Sequence, residues 1–151
     1  MICAALDTGA RVRFTATGSS MFPFLRNGET VEIERVEDGE LRPGDVALAE
    51  RADGSYVLHR IADIRQDRVF MVSDAGNEDG WLPLTSIIAR ACAVRRNDRW
   101  IRLDTAGARR LGLGWTKLHF VGPPLLGVAV RVRARLRGKR AKRARYHGSP
   151  N

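Results

Sequence analysis

Residues 46–64 read VALAERADGSYVLHRIADI, and this stretch decides the fold class. Two apolar runs that include β-branched residues, Val46–Glu50 and Tyr56–Ile64, flank the dipeptide Asp53-Gly54. Asp-Gly between two such runs is typical of a tight turn in a β-hairpin. The pattern therefore predicts an antiparallel hairpin that carries His59 in the middle of its second strand.

Similar short runs recur along the first hundred residues and predict a mainly β domain. Turn signals such as Asn27-Gly28, Pro43-Gly44 and Asn97-Asp98 separate them. Closely spaced strands without a long helical pattern are typical of a small, coiled β-barrel-like sheet. The further predicted strands cover Arg11–Thr15, Thr30–Val36, Arg68–Ser73, Ile87–Arg95 and Trp100–Leu103.

The charge distribution divides the chain into two parts. Residues 1–104 contain 14 Arg and no Lys against 17 acidic residues, which gives 14 − 17 = −3. Residues 105–151 contain 12 Lys plus Arg and no acidic residue, and this +12 accounts for the overall charge of +9. We therefore predict a domain over 1–104 and a basic, partly apolar C-terminal extension over 105–151. The alternation in that extension favours a strand, whereas its composition favours a helix.

A serine and a histidine form the candidate catalytic pair. Residues 18–25 read GSSMFPFL, and a serine in such a Gly/Ser turn is exposed on a sharply bent backbone. A histidine within a strand is held rigidly enough to accept the serine's proton. Ser20 and His59 are therefore predicted to be a nucleophile and its general base. The alternatives are that Ser20 is an ordinary turn serine and that His59 is a core histidine.

Five segments add a family resemblance to this pair. They are GSSMFP at 18–23, LRNGETV at 25–31, LRPGDV at 41–46, YVLHRI at 56–61 and SDAGNED at 73–79. Their order resembles the signal peptidase I superfamily, the serine peptidases that remove leader sequences, and more distantly the self-cleaving domain of LexA-type repressors. The resemblance covers residues 16–94, about half the chain. It implies a signal peptidase-like or LexA-like β fold and the cleavage of a leader or precursor peptide.

The base position distinguishes two branches of that superfamily, one with lysine and one with histidine. This chain resembles the histidine branch, because its three lysines, Lys117, Lys139 and Lys142, all lie in the C-terminal third. Arginine does not deprotonate and therefore cannot replace a lysine base. An imidazole, in contrast, is largely neutral at pH 7 and is competent without burial.

The acidic loop supplies two candidates for the carboxylate that orients His59. They are Asp74 and Asp79; we favour Asp79 as the orienting residue and a structural role for Asp74. The loop departs from the family pattern at Ser73, where a glycine is usual. Arg60 is expected either to pair with a carboxylate or to contact the substrate backbone.

The resemblance also implies an oxyanion site and a substrate groove. The Ser20 backbone N–H is the expected oxyanion donor. Many leader peptidases add a serine two residues before the nucleophile, but Gly18 stands there, so either Ser19 or a second backbone amide is the candidate second donor. Met21 and Phe22 are expected to contact substrate, or else to belong to the core. The two cysteines have no zinc-like spacing, and we expect no metal or cofactor.

The C-terminal extension suggests where the protein works. Its apolar stretch, residues 111–130, is interrupted by Lys117 and Pro123-Pro124, which disfavours a straight membrane span. The first 16 residues show no secretory signal pattern. We expect a cytoplasmic or peripheral membrane protein whose basic extension contacts an anionic membrane surface, nucleic acid or no partner. The competing function is a non-catalytic or self-cleaving LexA-like regulatory module with a nucleic-acid-binding tail.

Overall fold

The computed structural model describes residues 2–37 and 39–119. Residues Met1–Lys117 form one compact unit, and a second unit begins at Leu118. The described chain starts with a short helix, α1 (Ile2–Asp7), and residues 106–119 form a second helix, α2. Between them lie the strands β1 (Val12–Thr15), β2 (Thr30–Glu34), β3 (Val46–Glu50), β4 (Tyr56–Arg65), β5 (Arg68–Val72), β6 (Glu78–Pro83), β7 (Ile87–Arg96) and β8 (Arg99–Arg102), with a 3₁₀ turn at Leu84–Ser86.

These strands form one antiparallel sheet in the order β1-β2-β7-β3-β4-β5-β6, with β8 paired to β7. The long strand β7 pairs with β2 along one edge and with β3 and then β8 along the other. The prediction of a mainly β domain is confirmed. The predicted barrel-like closure is wrong, because β1 and β6 lie at opposite ends of the strand order and do not pair with each other.

The hairpin predicted from residues 46–64 is present as β3 and β4, with Ala47 opposite His59 and Glu50 opposite Tyr56. Side chains along a strand alternate between the two faces of the sheet. Accordingly, Val46 and Leu48 belong to one buried apolar cluster and Ala47 and Ala49 to another. The sheet is therefore covered on both faces around the strand that carries His59.

Helix α2 packs on the sheet and extends the compact unit beyond the predicted boundary at residue 104. Thr116 is 3% exposed, and Trp115 donates a hydrogen bond to the Asp74 carbonyl. No helix in the described ranges has the length and apolar character that a membrane crossing requires. Residues 120–151, for which membrane or nucleic-acid contact was predicted, lie outside the described residues.

Candidate active site

Ser20 lies in the loop between β1 and β2, and this loop is closed by backbone hydrogen bonds. Ala16 N–H donates to the Glu29 carbonyl, and Gly28 N–H donates back to the Ala16 carbonyl, each at 2.8 Å. Gly18 has a φ of +90°, which favours glycine over other residues, and its N–H donates to Asn27 Oδ1 at 2.9 Å. The bent backbone expected around Ser20 therefore has an identifiable cause.

An ion pair joins this loop to the sheet. Arg96 of β7 donates two hydrogen bonds to the Glu29 carboxylate, and its Nη2 also donates to the Phe24 carbonyl at 2.9 Å. The hydrogen bonds from Arg96 lower the pKa of Glu29 below its usual value. The loop that carries Ser20 is thus tied to β7 through a side chain that stays ionised at neutral pH.

The structure brings Ser20 and His59 into contact. Ser20 Oγ lies 3.0 Å from His59 Nε2, which is hydrogen-bonding distance. His59 is 7% exposed and sits in the middle of β4, so its ring is held by the sheet rather than by a loop. The two residues are 39 positions apart in the sequence, and the conformation of the β1–β2 loop brings Ser20 next to His59.

Asp79 contacts the other ring nitrogen of His59. Its Oδ2 accepts from His59 Nδ1, and its Oδ1 accepts from Arg51 Nη2. The Asp79 side chain is 3% exposed, and the residue belongs to β6. The last residue of β5, Val72, pairs with Arg60, so β5 does not extend as far as His59. His59 therefore faces the start of β6. Of the two predicted carboxylates, Asp79 is the one that contacts the imidazole.

Asp74 is paired with Arg60 instead. Arg60 Nε and Nη2 donate to the two Asp74 carboxylate oxygens, each at 2.7 Å. Their side chains are 3% and 0% exposed, and Arg60 Nη1 donates to the Gly44 carbonyl at 2.8 Å. Of the two roles expected for Arg60, the structure therefore shows the pairing with a carboxylate. Because successive residues of a strand point to opposite faces, His59 and Arg60 serve two separate clusters.

Helix α2 covers this buried ion pair. Gly112 lies against the Arg60 guanidinium so closely that a Cβ at this position would be 2.2 Å from its carbon. The Phe24 ring lies on the Arg60 guanidinium, 4.9 Å from centroid to Cζ, and meets the Trp115 ring edge-on at 6.2 Å. Sequence analysis missed the contribution of α2 to this cluster.

One hydrogen bond connects the ion pair to the candidate nucleophile. Ala75 N–H, one residue after Asp74, donates to the Ser20 carbonyl at 2.9 Å. Trp115 Nε1 donates to the Asp74 carbonyl at 2.9 Å. The backbone of Ser20 is therefore positioned by the loop at Asp74 and Ala75, and contacts with α2 and Arg60 hold that loop in place.

A cleft of about 550 Å³ opens beside Ser20 and His59. Met21 is 5% exposed and belongs to the apolar core, which is one of its two expected roles, and it also lines the cleft. Phe22 is 55% exposed and does not line the cleft. The remaining walls are mostly apolar, among them Phe14, Leu25, Leu48, Val57, Leu58 and Ile88.

The candidate oxyanion donors differ in their surroundings. The Ser20 N–H donates no hydrogen bond within residues 2–37 and 39–119. Ser19 is exposed and is not a lining residue of the cleft. The Ser20 amide is therefore better placed than the Ser19 hydroxyl to meet an oxyanion in the cleft.

Arg51 is the site residue that sequence analysis missed. It directly follows β3, and its contact with Asp79 lies on the same face of the sheet as His59. The register of the hairpin could have indicated Arg51. Ala47 pairs with His59, and Arg51 follows Ala47 by four residues, an even number that places both side chains on the same face of the sheet.

Neither similarity to known proteins nor a metal-binding cluster assigns a function to this site. No protein-family model, curated protein or solved structure matches the chain. Among the described residues, no cluster of three or more His, Cys, Asp or Glu side chains is arranged to hold a metal ion. The resemblance to the signal peptidase I superfamily therefore rests on the sequence motifs, and the contacts among Ser20, His59 and Asp79 are a separate observation.

Proposed function

We propose that this protein is a serine endopeptidase of the signal peptidase I type that cleaves a leader-bearing or precursor polypeptide. The observation that carries the proposal is the continuous contact from Ser20 through His59 to Asp79. A hydroxyl, an imidazole and a buried carboxylate in this sequence of contacts have the roles of a serine hydrolase triad. The proposal includes the fold, which we take to be a signal peptidase-like arrangement of the open antiparallel sheet.

In the proposed reaction, the Asp79 carboxylate accepts a hydrogen bond from the Nδ1–H of His59, which keeps the ring proton on Nδ1 and leaves Nε2 as the acceptor for the Ser20 hydroxyl. Ser20 Oγ attacks the scissile carbonyl as Nε2 takes its proton. The resulting imidazolium then gives this proton to the leaving amine. A water molecule attacks the acyl-enzyme, passes a proton to Nε2, and the proton returns to Ser20 Oγ when the acid product leaves.

The oxyanion of the tetrahedral intermediate needs a donor close to the nucleophile. We assign this role to the Ser20 N–H, since it has no acceptor in the described residues and belongs to the attacking residue itself. The hydrogen bond from Ala75 N–H to the Ser20 carbonyl anchors the backbone on the C-terminal side of Ser20 and leaves the Ser20 N–H unengaged within the described part of the chain.

The cleft supports a peptide substrate with apolar side chains near the cleaved bond. Its volume of about 550 Å³ exceeds that of a single side chain, and its walls are mostly apolar. β1 pairs only with β2 among the described strands, so its other edge is open to an added strand beside the cleft. Phe14 of β1 lines the cleft and would lie alongside an extended peptide there.

A peptide-cleavage experiment tests the proposal. The full chain is incubated with a mixed peptide library, and new termini are mapped by mass spectrometry. We expect Ser20→Ala and His59→Gln each to reduce the cleavage rate by a factor of ~10³ or more. Ser86→Ala, which removes a hydroxyl that donates to the Pro83 carbonyl, is the matched control for the serine, and His119→Gln is the matched control for the histidine. Undiminished cleavage by Ser20→Ala would contradict the proposal.

The proposed membrane contact of the basic extension needs its own test. Leader-bearing substrates are found at membranes, and basic residues near an anionic lipid surface each contribute about 1 kcal/mol to binding. Because α2 packs on the sheet, the truncated control should end at residue 119 rather than at 104. We expect the full chain, and not this truncation, to co-sediment with vesicles that contain phosphatidylserine. Equal partitioning of both chains would remove the membrane assignment.

A further inference from the structure

We propose that Arg51 is a positioning residue of this site, which fixes the Asp79 carboxylate and offsets part of its charge at His59. This inference rests on the proposed function for its catalytic meaning. Its structural basis is that one carboxylate is shared, with Oδ2 on His59 Nδ1 and Oδ1 on Arg51 Nη2. The carboxylate therefore has a cation on one side and the candidate base on the other.

The backbone of Arg51 is well fixed. Its N–H donates to the Ser55 carbonyl at 2.8 Å, and its own carbonyl accepts from Gly54 N–H at 2.9 Å. Asp53 Oδ1 closes the same turn by accepting from the N–H and the hydroxyl of Ser55, at 2.9 and 2.6 Å. The tight hairpin turn therefore holds Arg51 at a constant position relative to β4, which carries His59.

The electrostatic effect follows from burial. The Asp79 side chain is 3% exposed, so its charge acts on the imidazole with little screening by water. Arg51 is 39% exposed, and its positive charge offsets part of the field that Asp79 exerts. Replacing Arg51 by a neutral residue would remove this offset, so the field of Asp79 at the imidazole would be stronger.

Polar and charged groups face His59 from several elements. Ser20 faces the ring from the β1–β2 loop and Asp79 faces it from β6. Arg60, the next residue on β4, is neutralised by Asp74 on the opposite face of the strand. The polar residues that share the cleft wall with His59 are Cys3 of α1, Thr15, Thr17, Arg26 and Tyr56.

The opposing interpretation is that Arg51 makes an ordinary surface ion pair with no effect on the imidazole. Exposed pairs of that kind contribute little and respond little to replacement. The chain provides such a pair for comparison, since Arg65 Nε lies 2.9 Å from Asp63 Oδ2 and their side chains are 73% and 45% exposed. Arg65→Gln is therefore the matched control for Arg51→Gln.

The test is an NMR titration of the His59 ring in the full chain, with the resonance assigned by its loss in His59→Gln. In Arg51→Gln we expect the titration midpoint to rise by about one pH unit relative to wild type. Arg51→Lys, which keeps the charge, and Arg65→Gln should leave the midpoint near that of wild type. Arg51→Ala is a second neutral variant and should reproduce the rise. An unchanged midpoint in both neutral variants would refute the inference.

A kinetic measurement separates this inference from the proposed function. If the wild-type chain cleaves peptides, Arg51→Gln should move the acid limb of its pH–rate profile upward and lower kcat at pH 7, with little change in KM. If the wild-type chain cleaves nothing, the proposed function fails, but the ring titration still reports whether Arg51 acts on His59. The two failures are therefore distinguishable.

Discussion

Replacing the two aspartates of the acidic loop region one at a time should have opposite consequences. In the structure, Asp79 contacts the candidate base, whereas Asp74 neutralises a buried guanidinium. Asp79→Asn should therefore impair catalysis and leave most of the stability, and Asp74→Asn should impair stability and leave most of the catalysis. The sequence placed both residues in one loop as candidates for the same role.

The magnitudes follow from the burial of each partner. Asp74 and Arg60 are 0% and 3% exposed, and breaking a buried pair by removing one charge costs about 3–5 kcal/mol. For a domain of this size, such a loss lowers Tm by roughly 10–20 °C. Asp79 has two partners, His59 and the 39% exposed Arg51, and its replacement by Asn keeps the side-chain volume and one acceptor oxygen, so Asp79→Asn should cost less, about 1–2 kcal/mol of stability. Its effect on kcat should be a factor of ~10²–10⁴, because the amide no longer secures the required tautomer of the imidazole.

The assay combines thermal unfolding, followed by circular dichroism, with cleavage rates measured at a temperature where every variant is folded. A double replacement, Arg60→Met with Asp74→Leu, supplies an internal check. It removes both charges and should be more stable than Asp74→Leu alone. The assignment of the two carboxylates would be refuted if Asp74→Asn were folded and had a larger catalytic defect than Asp79→Asn, which stayed active.

Three further predictions concern stability and thiol reactivity. Gly112→Ala should destabilise the protein by about 1–3 kcal/mol, because the new Cβ would meet a buried guanidinium. Gly114→Ala on the same helix should not, because a Cβ there would have nothing within 4 Å. Urea unfolding of the two variants tests this difference. Glu29→Gln should be less stable than wild type at pH 7 by about 1–2 kcal/mol. Since the pKa of Glu29 is lowered in the folded state, this contribution is present above pH ~4.3 and is lost as the pH falls further, so unfolding curves of the two proteins should converge at acid pH. Burial raises the pKa of Cys92 to about 11, so iodoacetamide at pH 8 should label exposed Cys3 alone in the native protein, and labelling of both thiols would contradict the described burial.

The predictable parts of the fold are those determined by local patterns. The turn at Asp53-Gly54 and the alternation on either side predict β3 and β4 with their correct pairing, which places His59 on a central strand. β6 was missed because Gly80 and Pro83 interrupt its pattern and only its pairing with β5 makes it a strand. Closure of the sheet depends on whether distant strands pair, and no local pattern determines that.

The site shows the same division between local and long-range information. The motif around Ser20 and the position of His59 were enough to predict a contact that the structure has at 3.0 Å. Sequence analysis favoured Asp79 as the orienting residue and a structural role for Asp74; the contacts that distinguish them, Asp79 with His59 and Asp74 with Arg60, are long-range and follow from the fold. The charge-based boundary at residue 104 overlooked α2, because the charge of a segment says nothing about whether its other side chains pack.

Strand β4 explains why catalysis and stability can be tested separately in this protein. His59 and Arg60 are adjacent, yet they point to opposite faces, so the candidate base and the buried ion pair share a backbone but no side-chain partner. The two clusters meet at the hydrogen bond from Ala75 N–H to the Ser20 carbonyl. A replacement in α2 that loosens Asp74 should lower the stability of the fold while it leaves most of kcat and the ring titration of His59 unchanged. Replacement of Arg51 should have the reverse signature, so the two kinds of positioning residue are separable by the same pair of measurements.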